Sequence, residues 1–300
     1  MSFEQKSYDK HAETYSSDQR NASSLERYRH WFDNLTVDLW RHLKMFSVLD
    51  PFLATYPQSE WITIGDGHYG TAATYIEKKG SNATAIDLDD SLLKIALEQK
   101  MIKSFLRCNA EALPYDSNSF DFSYCKQSYH HFPRPFLAVY EMIRVSRKAI
   151  LFSEPADWLP LPIPGRILQF LKRGIKQMVR IASPHTDTGN YETSGNYVFT
   201  IAEREFEKIA LGLNLPAVAF KRYSDIYVPG VEDELYSQNG PKLKTLKRIA
   251  FSRKVKEWMG LSRPNNIQAI LFKELPNEET VQMLRESRYQ YILLPQNPYL

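Results

Sequence analysis

Trp61-Ile62-Thr63-Ile64-Gly65-Asp66-Gly67-His68-Tyr69-Gly70 is the stretch on which the fold turns. Trp61 to Ile64 reads as a short buried strand, and the glycines after it as a turn into a helix over about Thr71 to Lys79. Glycines at 65, 67 and 70 permit close backbone approach to a ligand, and the free N–H groups at the start of the next helix favour an anionic group. A second strand, Ala83 to Ile86, ends at Asp87, 22 residues beyond Gly65. A carboxylate there can accept hydrogen bonds from both hydroxyls of a ribose. Loop and acid together point to a nucleotide-like ligand; a purely structural turn is the alternative reading.

Outward from this unit the alternation continues. Ser91 to Gln99 reads as helix, Phe120 to Cys125 as strand, Phe136 to Val145 as helix and Ala149 to Ser153 as strand. Such alternation argues for a parallel sheet built from right-handed crossovers, an α/β doubly wound fold. Upstream, Leu25, Tyr28, Phe32, Leu35, Leu39, Leu43 and Phe46 recur at the spacing of an amphipathic helix. They predict a helical N-terminal cap over residues 1–56, ending at the turn Tyr56-Pro57-Gln58-Ser59, ahead of a ligand-binding core over 57–155. The insertion that follows opens with Pro155, Pro160, Pro162 and Pro164 and is too long for a plain connection, so residues 156–199 are expected to form a lid or substrate segment. Residues 200–300 complete the core, with a helix from Thr200 to Leu211 and strands near Val218 to Val228 and Ile267 to Phe272. Between those strands lies a Lys- and Arg-rich helical stretch, Lys242 to Trp258, within an insertion near 230–262.

Composition sets the outer limits. Three hundred residues fit about two domains, or one large α/β domain with insertions. A chain that is 43% hydrophobic and 24% charged, with 12 Gly and 17 Pro, is not collagenous, low-complexity or wholly disordered. The net charge of +3 is too small to make non-specific nucleic-acid binding the leading idea. Cys108 and Cys125 form neither a disulfide framework nor a zinc motif, so no metal is expected and the usage suits a reducing compartment. The polar start, MSFEQKSYDKHAETYSSDQR, and the lack of any run of about 18 apolar residues lead us to expect a cytoplasmic protein with no signal peptide or spanning helix.

The next segment narrows the ligand. Asn109-Ala110-Glu111-Ala112-Leu113-Pro114-Tyr115, Asn118-Ser119-Phe120-Asp121-Phe122-Ser123-Tyr124 and Tyr129-His130-His131-Phe132 follow one another, and then come Glu141-Met142-x-Arg144-Val145 and Phe152-Ser153-Glu154-Pro155. This run resembles class I S-adenosylmethionine-dependent methyltransferases over about Trp61 to Pro155, in particular the small-molecule branch that includes ubiquinone-biosynthesis enzymes. The resemblance implies a Rossmann-like, mostly parallel seven-stranded sheet with the last strand antiparallel, and S-adenosylmethionine as cofactor. Tyr8-Asp9-Lys10-His11-Ala12-Glu13-Thr14-Tyr15 is similar to the N-terminal segment that closes over the cofactor in many of these enzymes, which implicates Tyr15.

Carried over position by position, the resemblance implies that Gly65 and Gly67 line the methionine moiety, that Asp87 holds the ribose with Leu88 beside it, and that Asn109, Ala110 and Glu111 lie at the adenine. Gln127 and Ser128 would pass near the methionine end. Two departures stand out: the family's acid two residues before the first glycine is Thr63, and its third glycine is Tyr69. The methionine amino group then needs another partner, for which Asp66 is the candidate.

Methyl transfer from a sulfonium needs in-line approach of a nucleophile, and a base only if the acceptor has a proton to lose. His130 and His131 follow the fourth strand, on the side where open parallel sheets bind substrates, and either is a candidate base or anchor with Glu154 as helper. A structural role for either histidine is the competing reading. Tyr8, His11, Arg166, Tyr191 and Tyr197 are candidates for the acceptor pocket, although aromatics on a capping helix are as readily its buried face. Arg166, Lys172, Arg173, Lys176 and Arg180 alternate with apolar residues in a pattern that suits an anionic acceptor, a membrane surface or a solvated lid face. The run Lys242 to Lys256 reads as solvated surface, lacking the aromatic interleaving of single-strand nucleic-acid grooves.

The expected function is therefore methyl transfer to a small polar, anionic metabolite or sugar. A nicotinamide-dependent dehydrogenase and an inactive, cofactor-binding interaction module are the alternatives. No base-methylating NPPY-like tetrapeptide follows the fourth strand, so no nucleic-acid partner is expected. The oligomeric state stays open, a homodimer included, and the tail Tyr289 to Leu294 could pack on its own chain or on a partner.

Overall fold

A computed structural model describes residues 5–10, 22–29, 31–157, 162, 164–166, 191–192 and 195–299. Side chains along the first strand alternate between two apolar layers: Trp61 joins one, Ile62 and Ile64 the other. The same period of two places Phe122, Tyr124 and Leu151 in the first layer and Cys125, Ile150 and Phe152 in the second. Strands apolar on both faces must be covered on both, which is why the sheet is doubly wound.

The sheet comprises β1 (Glu60–Ile64), β2 (Asn82–Asp87), β3 (Phe105–Arg107), β4 (Phe120–Lys126), β5 (Ser146–Pro155), β6 (Ala217–Tyr223), β7 (Asn266–Phe272) and β8 (Gln290–Leu293). Their spatial order is β3-β2-β1-β4-β5-β7-β6-β8. β1 to β5 run parallel, β7 runs antiparallel between β5 and β6, and β8 pairs antiparallel with β6. The expected seven strands are thus eight, which corrects the sequence reading. The extra one is the tail, whose Val218↔Ile292 register covers the otherwise open edge of β6 and buries Leu294.

One face carries helices Val37–Phe46, Asp50–Thr55, Thr71–Lys78, Ser91–Glu98 and Glu278–Glu286, which contribute Phe46, Phe52, Ile76, Leu93 and Leu284 to its core. The other carries Pro135–Val145 and Glu203–Gly212, through Val139, Met142 and Phe206. Thr36 caps helix Val37–Phe46 by accepting the Leu39 N–H at 3.0 Å. The long helix Pro241–Trp258 buries apolar side chains from its first half: Leu243 and Leu246 pack with Val37 and Val231. The chain leaves β1 toward β2 and β3 on one side and returns to β4 on the other, so a crevice opens beyond the carboxyl ends of β1 and β4.

Candidate active site

The crevice is floored by the loop after β1. Gly65 has φ +66°, and a Cβ there would lie 2.4 Å from Ser128 Cβ. At Gly67 a Cβ would fall 2.5 Å from the Asp87 carboxyl carbon. Both positions are open to glycine alone, for space and, at 65, for backbone conformation. The third position differs: Tyr69 adopts φ +58°, an unusual conformation for a bulky residue. Its ring is buried and stacked on Tyr28 at a centroid distance of 5.1 Å, which holds it there.

Asp66 is buried and tied to its own chain. Its Oδ1 accepts the Ala72 N–H at 3.1 Å, and its Oδ2 accepts the Ala73 N–H and the Thr63 hydroxyl, both at 2.9 Å. The carboxylate thereby caps helix Thr71–Lys78, whose N-cap Gly70 has no side chain to do so. Thr63, at the position of the family's acid, donates to an acid three residues later. Burial pushes the Asp66 carboxyl above its usual range, opposed by the Ala73 and Ala72 N–H donors and by Lys126.

At the end of β2, Asp87 Oδ2 accepts the Gly67 N–H at 2.9 Å and Oδ1 the Asp89 N–H at 3.0 Å. Burial raises its pKa to about 6 despite those donors. Asp87, Gly65, Ser128 and His131 line both lobes of one cleft. The first lobe is walled by Ile86, Leu88, Cys108, Asn109, Ala110, Phe132 and Pro133, apolar apart from the Asn109 amide and the Cys108 thiol. Burial, with Asp87 nearby, pushes that thiol up to about 12, so it stays neutral. Residues 5–10 close over this lobe: Tyr8 donates to Glu111 Oε2 at 2.6 Å, and Ser7 bonds Asn196. Arg134 fixes Glu111 from the other side, its backbone N–H at 2.9 Å and its Nε at 2.7 Å.

The second lobe adds Tyr28, Trp31, His42, His68, Thr71, Lys126 and Gln127 to the glycine loop. Lys126 ends β4 and donates from Nζ to His42 Nδ1 at 3.1 Å, while its ammonium stands over Phe46 at 5.0 Å. His42 Nε2 faces Asp38 at 3.6 Å, and Asp38 is held by Arg41 at 2.8 Å. Burial lowers Lys126, an effect that Asp66 and Asp38 oppose. Burial and then Lys126 drive His42 well below its ordinary value and His68 to about 4, so both rings are neutral near pH 7.

The expected site residues separate here. Gly65, Asp66, Gly67, Asp87, Leu88, Asn109, Ala110, Glu111, Gln127, Ser128, Tyr8 and His131 all line the cleft. His131 also pairs through Nδ1 with Glu192. His130 does not line it; its Nδ1 is bonded to Glu154 Oε2 at 2.8 Å. Glu154 is 0% exposed and accepts the Ser128 and Tyr129 N–H groups at 2.8 and 3.1 Å, so its carboxylate holds the β4 loop in shape. Tyr191 and Tyr197 pack on one another at 5.5 Å, and their segment reaches the cleft through Asn196 and through Glu192 on His131 instead. Arg166 is exposed and lines neither lobe. Tyr15, His11 and the basic residues 172–180 lie outside the described residues. Sequence reasoning missed Lys126, His42, His68, Tyr28 and Trp31. The signal for Lys126 was a cation directly after the apolar run of β4, but its partners are more than one helix away in sequence.

Residues 62–151 match the family model described as a methyltransferase domain. No curated protein matches the chain. Solved structures similar to it include a SAM-dependent methyltransferase from Archaeoglobus fulgidus, at 13% identity and TM-score 0.46 over 78% of this chain and 94% of that one. The YcgJ protein of Bacillus subtilis aligns at 16% identity and TM-score 0.46 over 76% and 99%. The [4+2]-cyclase SpnF aligns at 16% identity and TM-score 0.48 over 77% and 80%. Among the described residues there is no cluster of three or more His, Cys, Asp or Glu that could hold a metal, and no helix long and apolar enough to cross a membrane.

Proposed function

We infer the reaction from one premise: residues 62–151 of this chain are a methyltransferase domain, of the class I type that uses S-adenosylmethionine. The proposed reaction is methyl transfer to a small polar acceptor, a metabolite or sugar carrying an anionic group. The observation that supports it most is the two-lobed cleft pivoting on Asp87, with the glycine cradle on one side and the Leu88–Asn109–Ala110 wall on the other. When bound, the cofactor supplies an electrophilic methyl group on sulfur.

The chain's part is then to bind, orient and exclude water. Asp87 would accept from the ribose diol, and the apolar wall with the Asn109 amide would take the adenine. In the second lobe Asp66 and Lys126 set an anion and a cation around the glycine loop, the pairing that a zwitterionic amino-acid end requires. Three bonds from its own chain leave Asp66 an electrostatic rather than a closely bonded partner for the amino group. Tyr8, Ser7 and Asn196 would shut the adenosine lobe from solvent. His131, in the cleft wall and held by Glu192, is the candidate to take a proton from an acceptor that has one to lose.

The test is calorimetric titration with S-adenosylmethionine, S-adenosylhomocysteine and NADH, repeated with Asp87→Ala. Micromolar binding of the first two that Asp87→Ala abolishes is the expected result. Binding of NADH alone, or of none of the three, overturns the reading.

A further inference from the structure

Helix Pro241–Trp258 holds seven Lys and Arg against one acid, Glu257. That acid is turned back on the fold, bonded to Ser224 and facing Arg253 at 3.5 Å. Past Leu246 the helix buries no side chain, yet this half carries Phe251 at 70% and Trp258 at 86% exposure, and Ile249, like Met259 just after the helix, is exposed as well. Aromatic residues of such exposure beside cations are not what water alone selects. Lys247 and Lys254, both exposed, lie three or four positions from Phe251 and so on its face, whereas Arg248, Ile249, Ser252, Arg253 and Lys256 line a surface recess on another side of the helix.

We propose that the outer half of this helix docks the protein on an anionic phospholipid surface, with Phe251 and Trp258 entering the headgroup boundary and the exposed Lys247 and Lys254 of the same helix face meeting lipid phosphates. Exposed lysines on the aromatic face match a phosphate in charge and in hydrogen-bonding type. Exposed aromatic side chains flanked by lysines on one helix face suit the interface between water and hydrocarbon. A second copy of the same helix is disfavoured by like-charge repulsion. The aliphatic Ile249 and Met259 have no counterpart in a base-stacking platform, which disfavours single-stranded nucleic acid. The inference is independent of the methyl-transfer reading.

The experiment is co-sedimentation of the full chain with extruded vesicles of phosphatidylcholine alone and of equal phosphatidylcholine and phosphatidylglycerol, at low and high salt. We expect at least tenfold stronger binding to the anionic vesicles, weakened by salt and lost in the Phe251→Ser/Trp258→Ser double variant. Circular dichroism melting checks that this variant is folded, and Lys247→Glu/Lys254→Glu gives a second, aromatic-preserving test that should weaken binding likewise. Equal binding to both vesicles, no binding, or wild-type binding by the folded double variant overturns the proposal. So does tighter binding to a uridine 20-mer than to anionic vesicles, or a dimer that dissociates when Trp258 is replaced.

Discussion

The backbone N–H of Gly67 donates to Asp87 Oδ2 at 2.9 Å, so the loop after β1 and the end of β2 are locked together by the acid proposed to hold the ribose. A methyl group at position 67 would lie 2.5 Å from that carboxyl carbon and must push it aside. Gly67→Ala should therefore weaken S-adenosylhomocysteine binding about tenfold or more, the scale of losing a charge-assisted hydrogen bond. Gly212→Ala is the control, because its Cβ would meet nothing within 4 Å. Calorimetry on both variants checks this; equal affinities would remove Asp87 from the ribose site.

Binding should also depend on pH through Asp87. Its carboxyl is raised from 3.8 to about 6 by burial, whereas ribose hydroxyls donate best to the ionised form. Affinity for S-adenosylhomocysteine is expected to climb between about pH 5 and 7 and level off above, with proton release on binding near pH 6. The stability of the ligand-free protein moves oppositely. A folded pKa above the unfolded one gives a contribution fully present below about pH 4 and lost as pH rises through about 6, on the order of 3 kcal/mol. Titrations in buffers of different ionisation enthalpy read the proton count, and the absence of any release near pH 6 contradicts the assignment.

Lys126→Met separates the two ends of the ligand. If the ammonium faces the methionine carboxylate, S-adenosylhomocysteine should bind about tenfold to a hundredfold more weakly, while 5′-methylthioadenosine, which lacks that carboxylate, should be unaffected. Removing the cation also leaves His42 without its 3.1 Å partner and lifts a charge that depresses it, so the His42 pKa should rise. Imidazole NMR signals followed with pH check the second effect. Equal losses for both ligands would mean that Lys126 supports the loop and not the carboxylate.

Physical range decides which parts of this site could be read from the sequence. Gly65, Gly67 and Asp87 were legible because a strand, a turn and a second strand lie within one local unit, where spacing reports geometry. The Lys126–His42 contact joins residues 84 positions apart, and its partner helix reads in sequence only as an apolar stripe. β3 was counted but given no range, because Phe105–Arg107 is three residues long and has no fully buried side chain to set an alternation. β8 was left undecided because four residues, Gln290–Leu293, gain strand character solely from pairing with β6. Asp66 read only as a candidate partner for the methionine amino group, since its hydrogen bonds to N–H groups six and seven residues on follow the curl of the loop and not a sequence pattern.

Glu154 tests whether the β4 loop is held by charge or by shape. Its fully buried carboxylate accepts the N–H groups of Ser128 and Tyr129 and bonds His130. Glu154→Ala strands two buried donors, a loss on the order of 2–5 kcal/mol, and should lower the melting temperature by several degrees while loosening Ser128 from Gly65. Glu154→Gln keeps an oxygen for both donors and offers an N–H to His130 Nδ1, so it should retain most of the stability and the affinity for S-adenosylhomocysteine. A melting temperature for Glu154→Gln as low as that of Glu154→Ala would show that the negative charge, and not the pattern of hydrogen bonds, holds the loop.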